Sequence, residues 1–448
     1  MEIRSQFFRV EKTLLAVLLG IGIILPFPLF AQSLSLEEAI QKGLDNRAEI
    51  KNARLETELA ERQNALLKAH YLPQISGLAD LRWNTQLQTT ILPFDITGNN
   101  PEGTTTVKFG LPFNNTFGLD ATQKILDPQT KYTRQINNTQ VESRRLALEQ
   151  QRTAVRQNIT EAYYRTVFDR ERLRLAEAAL DRAKENLAIA QTRLAAGTLL
   201  ENDFDRVRLD QSNAELALRK ARQDYSLAIQ ALQYRMGVPQ NNLIEPSQTL
   251  PEILADTAAV SPPDIAARTE IRAEVLNMTL EALNESRELA TRRPTLSAYG
   301  NYSALQLSET FNPFKSGTWY PFNYIGLRLN VPIFDGRQAR LAAGDYRIRQ
   351  QISKNTVDQL ERDITYEVQE ALTTLYQARL DIANTQANLE LAQQIAATDK
   401  FRYEKNVLTQ TELNATQTTL QNAETNYLTS VYNYLVALVR YRRAAGNL

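Results

Sequence analysis

Residues 371–392 read ALTTLYQARLDIANTQANLELA, and within them Ala371, Leu375, Ala378, Ile382, Thr385, Leu389 and Ala392 recur in steps of four and three. That spacing is the heptad stripe by which one helix packs along another, and small residues in it let the axes approach closely. The same stripe occurs earlier as Leu173, Ala176, Leu180, Ala183, Leu187, Ala190 and Leu194. No proline interrupts either region, so helices are expected over about 131–195 and 337–405, roughly 100 Å each. No single soluble core needs such a length. Each stops at a turn, Ala196-Gly197-Thr198 or Asn406-Val407, where Gly or Asn suits a left-handed cap, and a returning helix follows. The stripes therefore read as coiled-coil hairpins and not as cofactor boxes.

The pattern is stated twice. Glu49 pairs with Glu270, Pro73 with Pro294 and Ser76 with Ser297, all at one offset. Leu119 to Asp127 pairs with Leu327 to Asp335 at a second, slightly shorter offset. Ile159, Glu161 and Ala162 then pair with Val368, Glu370 and Ala371 at a third, which also relates Asn213-Ala-Glu to Asn422-Ala-Glu and Tyr225 to Tyr434. The main drift falls between the strand candidates, where a loop differs in length, and an internal duplication accounts for the rest. It predicts one unit over residues 32–236 and a second over 264–448. Between them, residues 237–263 hold five of the 16 prolines and read as a linker with little regular structure.

Each unit is expected to start with a helix of about 22 residues ended by proline, 48–69 or 270–292, followed by two strands. The strands are predicted near 75–88 and 107–125, then near 295–308 and 323–334. In the first, Ile75, Gly77, Ala79, Leu81, Trp83 and Leu87 alternate with Ser76, Asp80, Arg82, Asn84, Gln86 and Gln88. In the second, Phe117, Leu119, Ala121 and Ile125 alternate with Gly118, Asp120, Thr122 and Lys124; in the fourth, Ile325, Leu327 and Leu329 alternate with Gly326, Arg328 and Asn330. Trp319, Tyr320, Phe322 and Tyr324 would form an interfacial girdle, and residues 91–106 and 308–317 exterior turns. A small soluble sheet with one wet face fits the local pattern equally well. Context separates the two readings: four strands cannot close a barrel, and an open edge cannot sit in lipid, so a membrane sheet must be completed by further copies of the chain.

Composition narrows the function. The 448 residues carry 51 basic and 51 acidic side chains, so nothing points to nucleic acid as a partner. Cysteine is absent and His70 is the single histidine, which removes thiolate nucleophiles, Cys/His zinc sites and multi-His clusters. No phosphate loop or nucleophile elbow appears, and an enzyme with a resident cofactor or metal is not expected. At the N-terminus, Arg4, Arg9 and Lys12 precede the apolar stretch Leu14 to Phe30 and the small residue Ala31, the form of a cleaved signal peptide over 1–31; an uncleaved anchor is the alternative.

Signal peptide, helix, strand pair and very long hairpin, all but the first duplicated, resemble the TolC family of outer-membrane efflux proteins over essentially the whole mature chain. The most specific match is Val331-Pro-Ile-Phe-Asp-Gly-Arg337, similar to the family's corner between last strand and second long helix, with Ile125-Leu-Asp-Pro its degenerate partner. The opening Ser35-Leu-Glu-Glu-Ala-Ile also resembles the family's mature start.

The resemblance implies a mostly helical fold with a transmembrane β-barrel contribution. Three copies would supply twelve strands for one outer-membrane barrel, and their helices a tunnel through the periplasm. It implies a passive conduit in a tripartite efflux or type I secretion system, with a periplasmic adaptor and an inner-membrane pump as partners. Adaptor contacts would come from tips Gly197, Thr198 and Leu199, and Asn406, Val407 and Leu408. Glu201, Asp203, Asp205 and Glu412 are candidate gate acids, though each equally suits the positive end of a helix dipole. Asp80, Arg82, Asp120 and Arg328 would face the barrel lumen. A soluble periplasmic coiled-coil adaptor is the alternative; it would show one hairpin beside a Gly-rich β domain.

Overall fold

The computed structural model describes residues 32–92, 104–240, 244–256, 262–315, 318–405 and 407–448. The expected signal peptide, the stretch 93–103 of the first exterior turn, and Asn406 lie outside the described residues. The chain runs β1 (Gln32–Leu34), α1 (Leu36–Asn46), α2 (Ala48–Ala69), β2 (Gln74–Trp83), β3 (Thr89–Leu92), β4 (Thr105–Lys108), β5 (Phe113–Leu126), α3 (Pro128–Ala195) and α4 (Glu201–Met236). It continues with β6 (Ile244–Pro246), α5 (Leu250–Asp256), α6 (Thr269–Ala290), β7 (Thr295–Ser308), β8 (Trp319–Asn330), α7 (Gln338–Glu404) and α8 (Gln410–Ala444). Helices α2 and α6 start and stop at matching positions of the two copies, and the C-terminal ends of α3 and α7 match likewise.

Local chemistry sets these boundaries. Ser35 and Glu38 close a reciprocal capping box on α1. Asp127 accepts from the Gln129 amide at 3.1 Å to start α3, with Pro128 in the first turn, where its missing N–H costs nothing. Asp335, its counterpart in the second copy, accepts from the amides of Arg337 at 3.0 Å and Ala339 at 3.3 Å. Those bonds hold Gly336 and Arg337 in the left-handed region, at φ +63° and +67°. A positive φ is unfavourable for Arg, and the Asp335 carboxylate offsets it.

The long helices of 68 and 67 residues each fold back on their returning helix. The main core lies where the two units meet, with Leu34, Ile50, Ile159, Tyr163, Leu232, Met236 and Leu435 buried together. Tyr163 donates to the Leu34 carbonyl at 3.0 Å and accepts from the Gln248 amide at 3.4 Å. Here the linker expectation fails. Within 237–263, β6 pairs in parallel with β1, and Ile253 of α5 is buried in the same core. The partner of β6 lies at the far end of the first unit, so Pro-rich composition could not reveal the pairing.

Four strands form an antiparallel sheet in the order β2-β5-β7-β8, with β2 and β8 as open edges. Two strand expectations are corrected. Alternation through Leu87 and Gln88 does not continue β2: the chain bends after Trp83, and Asn84 donates its amide to Pro112 O at 2.7 Å and its side chain to Leu111 O at 3.3 Å. The predicted 107–125 strand is likewise split into β4 and β5 by Gly110, at φ +98°, and Pro112, which has no N–H for a ladder. Strands β3 and β4 pair separately as a hairpin.

Candidate transport surface

The register assigns every residue of the sheet to a face. On one face lie the rows Ile75·Ala121·Gly300·Ile325, Gly77·Leu119·Tyr302·Asn323, Ala79·Phe117·Ala304·Pro321 and Leu81·Asn115·Gln306·Trp319. On the other lie Ser76·Asp120·Asn301·Tyr324, Leu78·Gly118·Ser303·Phe322 and Asp80·Thr116·Leu305·Tyr320. All the charged side chains of these four strands, Asp80, Arg82, Asp120, Lys124 and Arg328, fall on this second face. The first carries none, and Ile75, Leu81, Leu119, Ile325, Leu327 and Leu329 stand exposed on it. The four predicted lumen residues thus share a face. A bulge after Lys124 removes Ile125 from the register and puts Leu126 opposite Leu296 on the apolar face.

The girdle expectation needs correction. Of the aromatic cluster in β8, Trp319 alone lies on the apolar face; Tyr320, Phe322 and Tyr324 alternate onto the charged one. The aromatic band of the apolar face is assembled across strands at the loop end: Trp83 stacks on Phe113 at 6.2 Å between centroids, Phe113 contacts Phe311 at 5.6 Å, and Phe117 contacts Trp319 at 5.2 Å. Side chains of period two cannot stay on one side of a strand, so a run in sequence is not a band in space.

At the opposite end of the molecule, the first hairpin turns at Gly197, φ +71°, with Thr198 N donating to Arg193 O at 2.9 Å. The same bond recurs in the second hairpin, from Val407 N to Arg402 O at 2.9 Å. Gly197, Thr198 and Leu199 therefore occupy one turn, and Val407 and Leu408 the corresponding one. Glu201 and Asp203 lie in the first turn of α4, followed by Asp205, and Asp203 pairs with Arg206 at 3.5 Å. Glu412 is engaged differently: its carboxylate accepts from the Thr409 amide at 2.9 Å and hydroxyl at 2.7 Å, closing the capping box of α8. Those hydrogen bonds hold its pKa below the usual carboxylate range.

Polar ties between hairpins went unread in the sequence. Arg182 pairs with Glu424 at 3.0 Å, Asn186 donates to Gln417 at 2.8 Å, and Lys400 meets Glu185 at 2.9 Å. Arg193 donates to Tyr403 O at 2.6 Å, and Asn414 to Asp210 at 2.7 Å. Partners drawn from different copies of the repeat leave no local signal, because each side chain reads as one more solvated helix position.

Comparison with known proteins follows the same outline. The sequence profile of the outer membrane efflux protein family matches residues 39–238 and 268–447. The chain belongs to that family. This efflux protein has the TolC-like channel fold: it superposes on CusC with a TM-score of 0.73 at 18% identity, covering 93% of each chain. It also superposes on the Campylobacter jejuni CmeC outer membrane channel at 0.69 and 18% identity, over 92% of this chain and 85% of that one. The open state of the Neisseria gonorrhoeae MtrE outer membrane channel gives 0.69 at 16% identity, over 92% and 88%. A curated relative, the cobalt-zinc-cadmium resistance protein CzcC of Cupriavidus metallidurans, is 27% identical over 195 residues, 42% of this efflux protein. The match spans 43% of that relative's length. The chain is an outer membrane efflux protein by family, and its two hairpins alternating with two strand pairs do not have the adaptor's layout of one hairpin beside a Gly-rich β domain.

Proposed function

We propose that three copies of the chain join their sheets edge to edge into one twelve-stranded outer-membrane barrel, with the charged face lining a water-filled lumen. The apolar face then meets lipid, and the hairpins continue the conduit into the periplasm. The observation that carries this is the segregation of every sheet charge to one face of a sheet whose β2 and β8 edges are open. The protein is a passive conduit of a tripartite efflux system. An inner-membrane pump supplies energy, and a periplasmic adaptor docks at the tips, using Gly197, Thr198, Leu199, Asn406, Val407 and Leu408. Glu201, Asp203 and Asp205 at the tip region are the acids placed to narrow the entrance, while Glu412 also caps its helix.

Since the chain has no cysteine, single-cysteine labelling reads each face cleanly. Thr122→Cys in the outer membrane should react with a water-soluble maleimide and Ala121→Cys should not. Reaction of both at one rate would refute the two-faced barrel. Cross-linking between β2 and β8 positions should yield a trimer and nothing larger.

A further inference from the structure

The loop-end half of the charged face carries a feature that neither a wet lumen nor a lipid contact explains. Tyr320, Phe322 and Tyr324 occupy consecutive positions of that face on β8 and are 62%, 42% and 49% exposed. Leu78 is exposed on the same face, across the sheet in the row of Phe322. The interfacial aromatic band is already supplied on the opposite face by Trp83, Phe113, Phe117 and Trp319. Ring faces turned to water gain free energy when apolar surface covers them, and they attract cations through the ring quadrupole.

The charges on this face show which ligand fits. Asp80 is paired with Arg82 at 2.6 Å and Lys124 with Asp127 at 3.5 Å. Arg328 lies 4.8 Å from the centroid of Tyr299, which in turn contacts Tyr324 edge-on at 5.9 Å. That guanidinium is an internal example of a flat organic cation resting on this aromatic surface. Asp120, in one row with Tyr324, accepts a hydrogen bond from the Asn301 amide at 2.8 Å and forms no ion pair among the described residues. A carboxylate with no ion pair among the described residues, two strands across the same face from a run of exposed rings, is complementary to a cation whose apolar or aromatic body reaches from one to the other, about 10 Å. A small hydrated metal ion cannot use the rings without losing its water.

We infer that the loop-end half of the lumen face is a collar for organic cations, in which Tyr320, Phe322 and Tyr324 supply ring faces and Asp120 the charge. The inference rests on the lumen reading of this face, and its test separates the two. Thr116→Cys lies in the row of Tyr320 and Asp80. In the full-length protein in outer membranes it should react with a cationic, water-soluble methanethiosulfonate. Tetraphenylphosphonium should slow that reaction by about fivefold, the size of one cation–π contact, while tetramethylammonium at the same concentration leaves it unchanged. Phe322→Ser with Tyr324→Ser should abolish the protection, Asp120→Asn should weaken it, and Tyr324→Phe should keep it. Equal slowing by both cations, protection that survives loss of the rings, or no protection overturns the collar. Rings that pack on one another across the mouth would make the thiol slow without any cation and would overturn it too. A Thr116→Cys thiol that stays inert while Leu119→Cys reacts would instead overturn the lumen reading itself.

Discussion

Arg193, near the end of α3, donates through Nη2 to the carbonyl oxygen of Tyr403, near the end of α7, at 2.6 Å, with its guanidinium carbon 3.9 Å from that ring's centroid. Tyr403 is buried and its hydroxyl bonds to the Gln410 side chain, so one arginine joins both hairpins close to their tips. Arg193→Ala should therefore loosen the tips and raise the resting single-channel conductance in a planar bilayer. Arg193→Lys keeps the charge but loses the planar fork, and should restore only part of the native current. Unchanged current in Arg193→Ala would mean the tie braces the hairpins without controlling the opening.

Asp203→Asn combined with Asp205→Asn should raise conductance if these acids narrow the entrance. Glu412→Gln serves as the contrast. Its carboxylate is committed to the Thr409 cap, so the expected effect is a lower thermal midpoint with current little changed.

Arg268 and Arg47 stand at equivalent places before α6 and α2, and burial sets them apart. The Arg268 side chain is 6% exposed, pairs with Glu270 at 3.0 Å and Glu367 at 3.2 Å, and donates to Ala444 O at 2.6 Å. Arg47 is 18% exposed, pairs with Glu49, and donates to Tyr234 O at 3.2 Å. Removing Arg268 leaves helix-end carbonyls of α8 without their donor and two partly exposed carboxylates without their partner, so Arg268→Ala should cost about 2 kcal/mol and Arg47→Ala about 1 kcal/mol by denaturant titration.

The same cluster predicts a pH response. Burial pushes the Glu270 carboxyl up, but hydrogen bonds and charge from Arg268 outweigh it and hold it below the ordinary range. A carboxyl depressed on folding adds stability above its unfolded value of about 4.3, and that stability is lost as pH falls through the folded value. Asp335, beyond the end of β8, behaves alike: burial is outweighed by amides of Ala339 and Arg337. Glu270→Gln should flatten the fall in thermal midpoint below about pH 4. A slope equal to that of the native protein would count against it.

Packing gives a further check. A Cβ at Gly43 would lie 2.0 Å from Cδ1 of Ile159, which is fully buried in the main core. Gly43→Ala should destabilise by about 1–3 kcal/mol, and Ile159→Val, which removes that methyl, should return part of the loss in a double-mutant cycle.

For the membrane face, Leu327→Arg should destabilise the assembled barrel by about 2–4 kcal/mol, whereas Thr122→Arg on the charged face should be tolerated. Heat resistance of the oligomer on a gel would distinguish them. Equal losses would deny that the faces meet different solvents.

The elements that were legible had local causes. Heptad stripes such as Leu173 to Leu194, the proline after each short helix and Gly197 at the turn act within a few residues, so the sequence displays them openly. Period-two alternation placed Asp80, Arg82, Asp120 and Arg328 together, because a strand leaves no choice of side. The misread features have two causes. Pro-rich residues 237–263 looked structureless until the distant β1 paired with β6, whereas the Trp319 to Tyr324 run was divided by the local period of two, which puts Tyr320, Phe322 and Tyr324 on the side opposite Trp319.

By itself, then, the sequence determined a duplicated chain of very long helical hairpins and two-faced strands, since backbone periodicity and capping are short-range and repeat in both copies. Tertiary structure alone decided which distant groups meet: Arg193 on Tyr403, Arg268 over the end of α8, the aromatic girdle across β2, β5 and β8, and Asp120 on Asn301. Those contacts depend on loop closure and strand register, which sum packing over the whole chain and leave no mark in any local window.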